Sequence, residues 1–237
     1  MDAMRAAVPV PPAPPAAPRI PRVTRDQSRA EELANSLSHA VGLLLAIASL
    51  PLLLGLAAQR THTHPHPLNV VALSVFSVTM MLLYGVSTAY HALPAGRAKD
   101  WLNRCDHASI YLFIAGSYTP FGLGALRDGW SWALFGAVWA LGLLGSAAKL
   151  TDRLKHPLWS TGLYVAMGWV AVVAAAPLVA QLPGPGLQLL VAGGLLYTLG
   201  AVVFMVDARL RFAHFVWHLF VMGGSACHFL AVWHYAP

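Results

Sequence analysis

The sequence predicts an all-α integral membrane protein, a seven-transmembrane helix bundle with its amino terminus in the cytoplasm and its carboxyl terminus outside. Apolar side chains make up 57% of the 237 residues and charged ones only 10%, whereas charged residues account for about a quarter of an ordinary soluble domain. The apolar residues lie in long blocks, and each block can cross a hydrocarbon core of about 30 Å as a helix. An ordinary soluble domain is therefore excluded.

Residues 1 to 30 form a Pro- and Ala-rich basic segment, which predicts a disordered tail ahead of a transmembrane domain over residues 31 to 237. Proline interrupts every short apolar run in this segment, so no signal-peptide core is expected. The connections within the domain are short, and none has room for a second domain.

Seven spans are predicted in the transmembrane domain. They run from about Leu37 to Ala58, Leu68 to Tyr90, His107 to Leu126, Ser131 to Ala148, Leu158 to Leu182, Leu187 to Val206 and Phe212 to Tyr235. Three prolines inside these spans, Pro51, Pro120 and Pro177, predict kinks that neighbouring helices or waters can accommodate.

The distribution of positive charge predicts the orientation of the domain. Thirteen of the 15 Lys and Arg residues fall in the tail and in the connections between spans 2 and 3, 4 and 5, and 6 and 7. Only Arg60 and Arg127 fall on the other side. Cytoplasmic loops carry the excess of Lys and Arg, so the charged side is the cytoplasmic one. The net charge of +6 is thus a topology signal, and the expected partners are membrane lipids, not nucleic acid.

The last span carries His214 and His218, which are four residues apart and therefore lie one turn apart on the same helical face. Ser225 and His228 continue this polar stripe. Ionisable residues in a membrane helix normally face the bundle interior, and two neighbouring imidazoles suit a metal ion. Buried histidines that bond to neighbouring helices explain the pair equally well.

Further histidines fall at the cytoplasmic ends of other spans, namely His39, His91 and His107. If His91 joins His214 and His218 on a zinc ion, three nitrogen ligands leave a fourth position for water, as in catalytic zinc sites. The opposite side of the membrane carries His62, His64 and His66, for which a solvated loop is the better interpretation.

Two polar residues near these histidines are candidates for catalysis. Asp106 is placed to act as a general base towards a water molecule. Its alternatives are an ion pair with Arg104 or a cap on the third helix. Ser87, four residues before His91, is placed to assist at a carbonyl oxygen or to bond Asp106, unless it bonds its own backbone.

The first span begins with Glu32, Asn35 and His39 on one helical face. A supporting role beside the metal or at the substrate entrance and a role in packing or capping both fit these residues, with Asn35 or Ser36 as the N-cap in the second case. Cys105 and Cys227 have no motif spacing and are predicted to be free.

The sequence resembles the hemolysin III branch of the progestin and adipoQ receptor family, which is related to adiponectin receptors and alkaline ceramidases. The resemblance covers residue 31 to the end. The matching stretches are Glu32-x-x-Asn35-x-x-x-His39-x-x-Gly42, Ser87-Thr-Ala-Tyr-His91, Arg104-Cys-Asp106-His107-Ala-Ser-Ile-Tyr, Ala115-Gly-Ser-Tyr-Thr-Pro120-Phe, Tyr164-Val-Ala-Met-Gly-Trp169 and His214-Phe-Val-Trp-His218-Leu-Phe-Val with His228-Phe.

The resemblance implies a seven-helix fold with the amino terminus inside and a Zn²⁺ near the cytoplasmic leaflet, held by His91, His214 and His218. Asp106 matches the family's acidic residue near the bound water, and eukaryotic relatives are receptors with ceramidase-like activity. We therefore expect a zinc-dependent hydrolase of a lipid amide or ester in the bacterial inner membrane, with Asp106 and Ser87 as catalytic residues. The alternative is a non-enzymatic receptor, channel or cytolysin-like protein with a structural zinc.

Overall fold

A computed structural model describes residues 25–61, 67–125, 129–174, 179–180 and 182–235. These ranges are mostly helical and contain no β-strand. The α-helices are α1 (Arg29–Thr61), α2 (Pro67–Ala92), α3 (Arg97–Thr119), α4 (Gly129–Leu150), α5 (Pro157–Gly168), α6 (Gly184–Phe204) and α7 (Ala213–Tyr235). Most of the predicted tail, the segment with His62, His64 and His66, and Pro177 lie outside the described residues.

Five helices among the described residues, α1, α2, α4, α6 and α7, are long and apolar enough to cross a membrane. This finding agrees with the predicted class of all-α membrane protein. α3 is not among these five because Arg104, Asp106 and His107 make its first half polar. α5 is not among them because it has only 12 residues. The count of seven spans and the orientation of the termini stay predictions.

The third helix begins earlier than predicted. α3 starts at Arg97, after Gly96 with φ 155°, whereas the predicted span starts at His107. Asp106 and Cys105 therefore lie well inside the helix, and the interpretation of Asp106 as a helix cap is wrong. The partner of Arg104 is Asp152, at 3.5 Å between the charged atoms, so the structure does not give Asp106 the predicted ion pair either.

The first helix also begins before its predicted span, at a reciprocal cap. The backbone N–H of Ser28 donates to Glu31 Oε2 at 2.9 Å, and the N–H of Glu31 faces Ser28 Oγ at 3.4 Å. This capping-box pattern satisfies two N–H groups that have no partner within the helix. Asn35 and Ser36 consequently lie inside α1, and neither is the N-cap.

Two helices change their winding at their carboxyl ends. α3 passes at Pro120 into a π-helical segment, Pro120–Ala125, and α5 passes into a 3-10 segment, Trp169–Ala174. Proline has no N–H to donate, which agrees with the disturbance predicted at Pro120. Pro51 lies inside α1, which continues through it.

Six of the seven helices pack as a closed ring, and α4 packs against α3. α1 contacts α2 and α7, α2 contacts α3, α3 contacts α4, α5 contacts α3 and α6, and α6 contacts α7. Sequence neighbours joined by short connections run in opposite directions. The starts of α1, α3 and α7 and the end of α2 therefore meet at one end of the bundle, and this end carries the polar residues singled out above.

Candidate metal centre

Three histidines from two helices converge at this end of the bundle. His91 lies in the last turn of α2, and His214 and His218 lie in the first two turns of α7. All three are buried, and one nitrogen of each lies within 4.8 Å of the others. Their ring centroids are 4.9 to 5.1 Å apart. We call these residues the three-histidine cluster.

The Nδ1 atom of each ring in the cluster bonds to an oxygen acceptor. His91 Nδ1 lies 2.7 Å from Glu32 Oε2, and His214 Nδ1 lies 2.8 Å from Asp207 Oδ2. His218 Nδ1 lies 3.2 Å from the carbonyl oxygen of Asn35 and 3.1 Å from Ser38 Oγ, and Ser38 donates its own proton to that carbonyl at 2.8 Å, so its oxygen also accepts. A carbonyl or carboxylate oxygen only accepts, so each Nδ1 carries the proton and donates it.

This assignment of tautomers leaves a lone pair on each Nε2. All three Nε2 atoms are buried and have no hydrogen-bond partner among the described residues. Buried polar atoms are nearly always paired in folded proteins, and a metal ion is a partner that three converging imidazole nitrogens can share. The buried cluster can therefore hold a metal ion.

The carboxylates behind the rings connect the cluster to other elements. Glu32 Oε1 also pairs with Lys99 at 2.8 Å, which joins α1 and α2 to the start of α3. The structure thus places Glu32 behind a histidine, one of the two roles considered from the sequence. Asp207 was missed by sequence reasoning, although it is the one acidic residue between α6 and α7 and lies seven residues before His214.

Asp106 and Ser87, the predicted catalytic residues, lie beside the cluster. Asp106 is buried within α3 and is close enough to His214 and Ser87 for electrostatic interaction. Ser87 Oγ is buried but makes no hydrogen bond of standard geometry to a described residue. Ser87 and Asp106 are therefore neighbours whose side chains interact, and the alternative in which Ser87 bonds its own backbone does not apply.

The other predicted histidines take different positions. His107 Nδ1 donates to the backbone carbonyl of Asn103 at 2.9 Å, which is a bond within its own helix. His39 stacks on His218, with 3.5 Å between ring centroids. His228 lies deeper, beside Tyr197.

Ser225 also lies away from the cluster. Its Oγ accepts a bond from the Tyr84 hydroxyl at 2.8 Å and lies 3.1 Å from the Tyr197 hydroxyl. The polar stripe predicted on the last helix thus contributes to two separate sets of residues. One is the three-histidine cluster, and the other is the set of three hydroxyls of Ser225, Tyr84 and Tyr197. Cys105 and Cys227 are free, as predicted.

A cavity of about 280 Å³ begins beside the cluster and extends into the bundle. Asp106 and His39 line it near the cluster, and His228 lines it further in. Between these points the walls are mainly apolar side chains of α3, α5 and α6 such as Phe113, Val165 and Leu190. A polar end and an apolar body suit an amphiphilic occupant.

Comparison with known proteins agrees with the resemblance in the motifs. A family model described as "Haemolysin-III related" matches residues 27–229. The "Hemolysin-3 homolog" of Bacillus subtilis (strain 168) is 40% identical over 205 residues, which cover 86% of this chain and 94% of that protein. "Hemolysin-3" of Bacillus cereus is also 40% identical, with 86% and 91% covered. The human "Monocyte to macrophage differentiation factor" is 29% identical over 214 residues, with 86% and 84% covered.

Proposed function

The chain belongs to the haemolysin-III related family, and we propose that it is a zinc-dependent membrane hydrolase acting on a lipid amide or ester at the cytoplasmic leaflet. The observation that carries this proposal is the set of three buried Nε2 lone pairs, each fixed by a proton on the opposite nitrogen. A packing role alone does not explain this set, because it leaves three buried acceptors without donors.

The donor set fits zinc. His91, His214 and His218 would be the ligands, and three neutral imidazoles with an open fourth position are a pattern of catalytic zinc sites. The carboxylates behind two of the rings are the usual support of zinc-bound histidines. When bound at such a site, zinc acts as a Lewis acid and lowers the pKa of a coordinated water to about 7.

Asp106 is the residue that would accept the proton of the attacking water. Its carboxylate lies beside His214 and lines the cavity, so a carboxylate oxygen can orient the attacking water and accept its proton as general base. The Ser87 hydroxyl, which is free of other bonds, can then donate to Asp106 or to the carbonyl oxygen of the substrate.

The cavity supports a lipid substrate. Its apolar body can take an acyl chain while the scissile group lies near Asp106. The helices long enough to cross a membrane support a position of this cavity within the bilayer. We propose seven spans with the amino terminus inside, in the bacterial inner membrane, so that the substrate enters from the cytoplasmic leaflet.

A second candidate is a non-enzymatic receptor, channel or cytolysin-like protein in which the zinc is structural. The observation that favours it is the name "Hemolysin-3" of the Bacillus cereus relative. A closed site with four protein ligands would support this candidate, whereas an open coordination position beside a cavity supports the hydrolase.

The first prediction separates the two candidates through Asp106→Asn. This variant should keep the zinc and the thermal stability of the wild type but lose turnover, because the amide cannot accept a proton. General-base catalysis typically supplies about a hundred- to ten-thousand-fold, so the loss should be of that order. The measurement is hydrolysis of ceramides, acyl amides and phospholipid esters, with zinc content determined on the same samples.

The matched control is His214→Ala, which removes a ligand and should lose the zinc itself. Loss of zinc in Asp106→Asn would make Asp106 a ligand instead of a base. A zinc-loaded wild type that hydrolyses no member of the panel would refute the hydrolase and leave the structural-zinc candidate.

A further inference from the structure

His39 on α1 has a feature that the proposed hydrolysis does not use. Among the described residues it is the only imidazole with both nitrogens buried and without a hydrogen-bond partner. The side chain is 2% exposed, so bulk water does not satisfy either nitrogen. A buried polar atom without a partner costs about as much as a lost hydrogen bond, and here there are two on one ring.

The packing around His39 fixes its ring and leaves the nitrogens open. One face stacks on His218, with 3.5 Å between centroids and 9° between planes. Tyr84 meets the ring at 5.0 Å in an edge arrangement, with 77° between planes. Stacking uses the face of an imidazole, whereas its nitrogens form bonds in the plane at the edge. These contacts therefore orient the nitrogens without satisfying them.

The position of His39 shows where a partner would come from. His39 lines the cavity together with Asp106, and its stacking partner His218 belongs to the three-histidine cluster. A polar group of a molecule in the cavity would thus reach His39 at the same depth at which it reaches Asp106. A neutral imidazole offers one donor and one acceptor, and the donor matches a carbonyl oxygen.

We propose that His39 is a ligand-binding residue whose N–H donates a hydrogen bond to the carbonyl oxygen of an acyl-chain compound in the cavity. The class of ligand rests on the proposed function, since a lipid amide or ester carries such a carbonyl at the head of its chain. The bond itself requires no hydrolysis. It is a second anchor for the acyl group, separate from the residues that would hold zinc.

The test uses two probes that cannot be hydrolysed and that differ in one carbonyl group, octadecan-2-one and octadecane. Each probe displaces a fluorescent fatty-acid analogue from the zinc-loaded protein in detergent. His39→Phe keeps a ring that can stack on His218 but has no hydrogen-bonding atom. It should bind octadecan-2-one about tenfold more weakly, the typical effect of one lost hydrogen bond, and octadecane unchanged.

Two further variants serve as controls. His39→Gln keeps a side-chain N–H donor and should recover part of the affinity for octadecan-2-one. Tyr84→Phe removes a hydroxyl that bonds Ser225 but keeps the ring beside His39, so it should bind both probes as the wild type does. If His39→Phe does not fold, His39→Leu takes its place in the same comparison.

Equal weakening of both probes in His39→Phe would overturn the proposal in favour of a packing role. Unchanged binding of octadecan-2-one, or no binding of it to the wild type, would overturn it as well, and so would loss of zinc in the His39 variants. A wild type that binds octadecan-2-one through His39 but hydrolyses no lipid would refute the hydrolase while leaving this assignment intact.

Discussion

Each histidine of the three-histidine cluster is held from behind by an oxygen of a different residue. Glu32 on α1 holds His91, Asp207 before α7 holds His214, and the Asn35 carbonyl holds His218. A carboxylate that accepts from Nδ1–H fixes the ring and makes the opposite nitrogen more basic. The metal affinity of the cluster should therefore depend on residues that never touch the metal.

The prediction at this scale concerns Glu32→Ala and Asp207→Ala. Removing an outer partner of a zinc-bound histidine typically costs about ten- to a hundredfold in metal affinity, and we expect a loss of that size in each variant. Competition with a chelator of known affinity for zinc measures it. Asp152→Ala is the matched control, because Asp152 pairs with Lys155 at 2.7 Å on the surface. Wild-type zinc affinity in both test variants would show that the two carboxylates only stabilise the fold.

At the scale of elements, α2, which carries His91, packs closely against α3, which carries Asp106. The two helices approach closely at Gly116, where an added Cβ would lie 1.9 Å from Thr79 Oγ1 and 2.9 Å from Thr79 Cβ. Thr79 Oγ1 already donates to the Val75 carbonyl at 2.8 Å, so it has little freedom to move. Small residues allow this kind of close approach between membrane helices.

Gly116→Ala should therefore push α2 and α3 apart and destabilise the protein by about 1–3 kcal/mol, the usual cost of overpacking. A lower melting temperature in detergent measures this loss. Gly136→Ala is the matched control within α4, because nothing lies within 4 Å of its added Cβ. It should melt at or slightly above the wild-type temperature, since alanine favours a helix over glycine. Equal melting temperatures for both variants would contradict the close contact.

The starts of α1 and α3 show what a hydrophobicity pattern misses. Both helices begin in polar sequence, at the Ser28–Glu31 cap and after Gly96, whereas the apolar blocks begin about two turns later or more. Apolar length reports only the part of a helix that can face lipid or the core. Apolar length therefore could not predict the polar first turns of these helices, and Glu32 lies in the first turns of α1.

At the scale of the whole molecule, the charge distribution and the alternating direction of the spans are enough to predict that the histidines lie near one another. Alternating spans bring the end of one and the start of the next to the same side, so His91 and His214 are expected at one depth. The three-histidine cluster agrees with that expectation. Asp207 could not be found in this way, because its bond to His214 depends on how the connection folds back over seven residues.

The last prediction concerns the orientation of the whole bundle. The tail and the connections beside the three-histidine cluster carry thirteen of the 15 Lys and Arg residues, and such residues remain on the cytoplasmic side during insertion. A reporter fused after Pro237 should therefore behave as external, and one fused at the amino terminus as cytoplasmic. Reporters that are active on only one side of the membrane, such as alkaline phosphatase and a fluorescent protein, measure both ends. A cytoplasmic result at the carboxyl end would require either an even number of spans or the opposite charge rule, and it would remove the reason to place the substrate in the inner leaflet. The geometry of the cluster would be unaffected, because it depends on contacts within the bundle and not on which side faces the cytoplasm.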